Sequence, residues 1–217
     1  MLKKILSAFI CLAMLLAVSA CNDKETADKN LTDTTQTSQD TAKTDEKSEL
    51  YQDAVGFSIE LENGGVMKGE LYPNLAPVTV KNFIGLCEDN FYDGLIFHRV
   101  IKGFMIQGGG YDENMIPKET ASIKGEFTSN GFKNELKHTK GVLSMARTMV
   151  PDSASSQFFI MHEDAPHLDG EYAAFGRVTE GLDIIDEIAT AETTVNDYGM
   201  SDVPVEPIII KTITIDK

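Results

Sequence analysis

The chain has no tryptophan, only three cysteines, and far fewer basic than acidic side chains. Each shortage excludes something. Cys11 falls inside an N-terminal apolar run and Cys21 closes it, so Cys87 stands alone in the remaining sequence. A disulfide framework needs pairs and a thiolate metal site needs several ligands, which rules out both. Within "FIGLCEDNFY", Cys87 reads as a small core hydrophobe. Nineteen Lys and Arg against 34 Asp and Glu leave a net charge of −15. A nucleic-acid backbone would repel such a surface, so no nucleic-acid partner is expected. The charge reads instead as solubility beside an anionic membrane. Also absent are GxSxG, GxxxxGK[ST], HExxH and CxxC, and with them the common nucleophile, phosphate-loop, zinc-protease and redox signatures.

What is present begins with a leader. Lys3 and Lys4 precede "ILSAFICLAMLLAVSA", an apolar run ending in small residues that has the form of a secretory signal over residues 1–20. The ending "VSAC" resembles a bacterial lipobox, in which the cysteine is lipidated and becomes the new N-terminus. Cys21 is therefore the expected lipid site, giving an extracytoplasmic protein anchored to the bacterial cell membrane rather than spanning it. Residues 21–50 follow as a threonine- and charge-rich stretch with Leu31 as an isolated large aliphatic residue near its middle. Such a segment buries too little surface to offset its ordering entropy and is expected to be a disordered tether. As a flexible coil it would span roughly 30 Å.

Residues 51–217 read as one domain, long enough to bury on the order of 70% of its unfolded surface. "VGFSIEL" and "GVMKGELY" alternate apolar and polar residues around "ENG", which predicts a hairpin. "APVTVKNFIGLCEDNFY" puts Val80, Phe83, Ile84 and Cys87 on one helical face, with Pro77 near its start. Short strands are expected around 95–100, 104–108, 141–146, 157–162 and 172–178. An amphipathic helix fits "EGLDIIDEIATA", "DYGMSDVPVEP" reads as an irregular loop, and "IIIKTITI" closes the chain as a strand. Many short strands and two helices indicate an all-β barrel with helical plugs.

Two stretches carry candidate chemistry. "HEDAPHLD" (162–169) gathers His162, Glu163, Asp164, His167 and Asp169, but its spacing suits no helix face and Pro166 breaks it, so it reads as a turn and no metal is assigned. "FHRVIKGFMIQGG" (97–109) sets Arg99 among Phe97, Phe104, Met105 and Ile106. An unpaired charge in an apolar strand is expensive and implies a purpose. From pattern alone Phe104, Met105 and Phe159 favour the barrel core, and alternation turns His98 away from Arg99 as a structural residue.

"FHRVIKGFMIQGG", "IKGEFTSNGFKNELKHTKGVLSMAR" and "SSQFFIMHEDAPHLDGEYAAFGRV" resemble the cyclophilin family of peptidyl-prolyl isomerases, in its bacterial branch. The resemblance covers roughly residues 55–189 and the final strand. It implies an all-β dominated fold: a closed eight-stranded antiparallel barrel capped by two α-helices. It also implies rotation about X–Pro bonds in unfolded or nascent exported polypeptides, without cofactor or metal. Arg99 matches the family's catalytic arginine, and Gln107 matches the glutamine that helps hold the substrate and orient that arginine. Phe104, Met105, Phe159 and Leu168 match the proline pocket. Ala146 and Arg147 fall where the family binds the peptide backbone, Gln157 lies on the strand facing that groove, and Tyr172 stands where some members have a histidine at the pocket edge. A monomer is expected.

The sequence departs from the family at His167, where many members carry a tryptophan that contributes to binding the cyclic immunosuppressant peptide, so an altered response to that inhibitor is expected. Arg147 replaces an asparagine of other branches, and "YDENMIPKETAS" stands where relatives often have a glycine-rich loop. A proline-peptide-binding module or holdase with little turnover is the other compatible class; intact Arg99, Phe104, Gln107 and Phe159 favour the enzyme. A solute-binding lipoprotein would be larger and two-lobed.

Overall fold

The computed structural model describes Tyr51 and residues 53–216. The leader, the lipid site at Cys21 and the tether lie outside the described residues.

Alternation builds the first hairpin. β1 (Val55–Leu61) buries Phe57, Ile59 and Leu61, and β2 (Val66–Leu71) buries Met67, Gly69 and Leu71 while Lys68 and Glu70 face solvent. The strands pair antiparallel across the predicted turn, where Gly64 takes a left-handed φ of 88° and Asn63 Oδ1 accepts the Gly65 N–H at 3.0 Å. β3 (Leu95–Ile101), β4 (Met105–Asp112), β5 (Val142–Met145), β6 (Phe158–Met161), β7 (Ala174–Glu180) and β10 (Ile210–Ile215) complete an eight-stranded antiparallel sheet in the order β10-β1-β2-β7-β5-β6-β4-β3. Its two outer strands meet through an Ile96–Ile209 bridge, and the N–H groups of Phe97 and Gly94 donate to the carbonyls of Ile208 (3.0 Å) and Ile210 (2.9 Å). The sheet is thus nearly closed into a barrel, with a thin seam where full closure was expected.

Both helices bury one face in the same interior. α1 (Pro77–Glu88) begins at the predicted proline and buries Thr79, Val80, Phe83 and Cys87. Ala76 offers no side chain to cap its first turn. The buried Glu126 does so from a distant loop, accepting the N–H of Val78 (3.0 Å) and of Thr79 (2.8 Å) and the Thr79 hydroxyl (2.7 Å). A carboxylate there satisfies orphan donors and meets the positive end of the helix dipole. α2 (Leu182–Ala189) buries Ile185, Ile188 and Ala189. Phe83 anchors the interior, with ring centroids 5.2 Å from Phe175, 5.5 Å from Phe158 and 6.4 Å from Phe57. Cys87 is a buried free thiol whose pKa burial pushes upward, as a core residue requires.

Some boundaries differ from the pattern. β4 was expected to stop near 108 but runs on through three glycines to Asp112, because backbone pairing needs no side chains. β7 starts at Ala174 rather than 172, and short 3-10 turns form at Thr128–Asn130 and Pro166–Leu168. The stretch before the last strand is not wholly irregular: β8 (Thr193–Thr194) pairs with β9 (Val203–Pro204).

Candidate active site

Strands buried on both faces sort their side chains into two apolar clusters. Ile106, Leu143, Met145, Phe158 and Ile160 belong to the interior; Met105, Val142, Phe159 and Met161 point the other way, into a second cluster with Leu168. Phe104, Ala146 and Tyr172 pack at its edge. Pattern alone favours core for all three of Phe104, Met105 and Phe159; Met105 and Phe159 are buried and Phe104 is half-buried, in a separate cluster with one open side. There a cavity of about 140 Å³ is lined by Arg99, Phe104, Met105, Gln107, Ala146, Arg147, Phe159, Leu168 and Tyr172.

Arg99 reaches this face through an irregularity. Strict alternation would put Phe97 and Arg99 on one side of β3, yet Phe97 is in the interior and Arg99 lines the cavity. The β3–β4 register shifts between Phe97 and Arg99, so His98 behaves as an inserted bulge residue and the strand re-aims the side chains beyond it. His98 does not line the cavity; it is buried, 4.8 Å from the Tyr111 ring. Burial lowers its pKa to about 4.

The rim is polar and largely committed. Arg99 is partly exposed, and its Nε lies 3.6 Å from Asp202 Oδ2. Gln107 Nε2 donates to Gln157 Oε1 at 3.0 Å, which joins the two amides along the groove. Gln157 occupies the groove beside the cavity. No side chain at Gly110 would leave room for it, because a Cβ there would lie 2.5 Å from the Gln157 side chain. The Arg147 guanidinium donates from Nε (3.1 Å) and Nη2 (2.9 Å) to the Glu171 carbonyl and from Nη1 to that of Thr148 (2.8 Å). It also stacks 4.6 Å from Tyr172 and 4.9 Å from Phe127, which fixes it as a wall.

Beneath Phe159 lies a network that sequence reading missed. His138 Nδ1 is 3.2 Å from Asp169 Oδ1, its Nε2 is 3.0 Å from Ser144 Oγ, and its ring stacks 6.1 Å from Phe159. The trio has the partners of a nucleophilic triad, but His138 and Ser144 are sealed from solvent. It therefore braces the cavity floor. Of "HEDAPHLD", His162 Nδ1 accepts the Gly103 N–H at 3.0 Å while His167 stacks 5.8 Å from Phe104. Among the described residues no group of three or more His, Cys, Asp or Glu side chains is arranged to hold a metal ion.

Residues 56–215 match the family described as cyclophilin type peptidyl-prolyl cis-trans isomerase/CLD. The chain belongs to the cyclophilins. Its family is one of enzymes, the peptidyl-prolyl cis–trans isomerases of class EC 5.2.1.8. A peptidyl-prolyl cis-trans isomerase of Acinetobacter baylyi is 49% identical over 160 residues, covering 70% of this chain and 81% of the relative. Peptidyl-prolyl cis-trans isomerase B of Escherichia coli is 42% identical over 164 residues, covering 71% of this chain and 96% of its own. A crystal structure of a Cryptosporidium parvum cyclophilin superposes with a TM-score of 0.63 at 31% identity, covering 76% of this chain and 98% of that one. A second crystal structure of that cyclophilin was determined in the presence of the dipeptide Ala-Pro, and it superposes at 0.62 with 32% identity, covering 75% of this chain and 99% of that one.

In this cyclophilin the unusual loop is ordered by its own polar groups. Asp112 Oδ1 accepts the N–H of Asn114 and of Ile116, both at 2.9 Å, and Tyr111 bridges to Pro117. The loop borders a second hollow of about 300 Å³, lined by Gly110, Pro117, Lys118 and Gln157 among others. The groove thus continues from the apolar cavity along a polar trough, with Gln107 and Gln157 between them.

Proposed function

We propose that this cyclophilin catalyses cis–trans rotation about X–Pro bonds in exported polypeptides, with Arg99 as its electrostatic catalyst. The observation that carries the reading is a partly exposed arginine on the rim of an apolar cavity floored by Met105 and Phe159. The X–Pro bond faces a barrier near 20 kcal/mol and turns over roughly 10–100 s unaided. No covalent bond breaks, so no nucleophile is needed. As the amide twists out of resonance, its nitrogen regains a lone pair. A cation fixed beside that nitrogen stabilises the twisted state more than either planar one, which is what lowers a barrier.

The proline ring enters between Phe104, Met105, Phe159 and Leu168, where water is excluded. Gln107, Ala146, Arg147 and Gln157 hold the flanking backbone while the acyl side turns, and Tyr172 closes the edge. The Ala-Pro dipeptide used with the Cryptosporidium relative supports proline-containing peptides as ligands. No cofactor or metal enters. Arg147 is committed to two backbone carbonyls, so its contribution to substrate is steric and electrostatic rather than by its bonded N–H groups.

The leader and "VSAC" support the cellular side of the reading: a lipid on Cys21 tethers a monomeric domain outside the cell membrane, where newly exported chains pass. Incorporation of labelled fatty acid, abolished by Cys21→Ala, tests the anchor. Isomerisation of an X–Pro peptide by residues 51–217, a stretch that contains the whole family match at 56–215, tests the chemistry. Strong catalysis that collapses in Arg99→Ala is the expected result. No catalysis by the folded wild-type domain would leave the groove as a binding site only.

A further inference from the structure

The segment before the last strand is built, and it delivers one carboxylate to Arg99. β8 and β9 pair, Val203 and Pro204 are buried, and the Val205 N–H donates to the Glu192 carbonyl at 2.9 Å. Asn196 folds the intervening turn, its Oδ1 accepting the N–H of Tyr198 (3.0 Å) and of Met200 (2.9 Å). At Asp202 the segment is pinned to the arginine-bearing strand, because the Val100 N–H donates to the Asp202 carbonyl at 2.8 Å. Asp202 also has a left-handed φ of 63°. Few non-glycine residues enter that region, and such strain concentrates at functional sites. Glycine would satisfy the backbone at lower cost; what aspartate adds is its carboxylate, whose Oδ2 lies 3.6 Å from Arg99 Nε and 3.5 Å from the Ser201 hydroxyl.

The geometry points to Asp202 as the positioning residue for Arg99, an inference that rests on Arg99 being the catalytic group. A long, partly exposed arginine samples many rotamers, and electrostatic catalysis depends on a fixed donor. The strand neighbour Gln107 turns its Nε2 to Gln157, while Asp202 is the carboxylate in ion-pair contact with Arg99 among the described residues. Contact at Nε holds one edge of the planar guanidinium and leaves its Nη groups for the proline amide. An ion pair this exposed adds little stability, so its value lies in orientation.

The test uses the detergent-solubilised full-length protein with Asp202→Asn, which removes the charge but tolerates the left-handed backbone, and Asp202→Gly, which favours that backbone and removes the side chain. Both should lower kcat about tenfold with KM little changed, a loss smaller than that from removing an electrostatic donor outright. In an Arg99→Ala background the same substitutions should have no further effect on rate. A direct reading comes from NMR, because the chain has only three arginines, Arg99, Arg147 and Arg177. The Arg99 Nε–H signal should report a more ordered side chain in the wild type than in either variant. An unchanged or raised kcat, an equal loss without Arg99, or an unaltered Nε–H signal would each overturn the positioning role. If instead Arg99→Ala leaves catalysis intact, the catalytic reading of Arg99 fails, and the NMR result still decides whether Asp202 orders it.

Discussion

Phe158 and Phe159 are adjacent in one strand and occupy different environments. Phe158 faces the barrel interior, with Phe83, Tyr92 and Phe97 rings 5.5–6.0 Å away, and is fully buried. Phe159 faces outward, between His138 and Tyr172, and floors a cavity. Both are apolar and both are buried. The difference is closure: one side of the sheet is filled by two helices, whereas the other keeps a hollow rimmed by Arg99, Gln107 and Arg147. A sheet that is apolar on both faces can thus serve stability with one and recognition with the other.

The sharpest break of this comparison is Phe158→Ala, which should cost about 3–5 kcal/mol through cavity formation. Denaturant midpoints would read it, and the molecules that remain folded should keep the wild-type KM. Arg99→Ala is the mirror experiment. It should cost on the order of 10²–10³ in kcat/KM while moving stability by less than about 0.5 kcal/mol. A large stability loss in Arg99→Ala would mean that the two faces are not separable.

Acid should attack the boundary between them. Folding holds His98 neutral down to about 4, whereas the unfolded chain protonates it near 6.5. Between these values the unfolded state binds the extra proton, so stability is complete above 6.5 and falls as pH drops toward 4. The loss is roughly 2–3 kcal/mol. Unfolding curves at pH 7 and 4.5 should converge in His98→Gln by comparison with wild type. The smallest expected effect is that of Phe104→Ala at the open edge, about tenfold in kcat/KM or roughly 1.4 kcal/mol, read with a series of X–Pro peptides.

Much of the fold was legible because its signals are local. Alternation in "VGFSIEL" and "GVMKGELY" with "ENG" between them specifies a hairpin, and Pro77 ahead of Val80, Phe83 and Cys87 specifies a helix with one buried face. The apolar cavity was legible only through the long motifs around Arg99, Phe104 and Phe159, since apolar residues alone do not say which face they serve. The bulge at His98 left no such mark, and neither did the brace of His138, Asp169 and Ser144. Strict alternation describes an ideal strand, and a bulge is decided by how two strands pair. The stretch 197–207 reads as loop because Gly, Asp and Pro are turn residues; that the same stretch delivers a carboxylate to Arg99 depends on a contact between distant parts of the chain.

By itself, then, the sequence determined the strands of the main sheet and the two α-helices, that a cation stands among apolar residues, and that the chain is acidic. Those properties follow from neighbours along the backbone and from composition. Only the tertiary structure decided which aromatic of the Phe158–Phe159 pair faces the hollow, that Gln107 is held by Gln157, and that Asp202 meets Arg99. Such relations require distant segments to be brought together, and nothing local in either segment encodes the other's position.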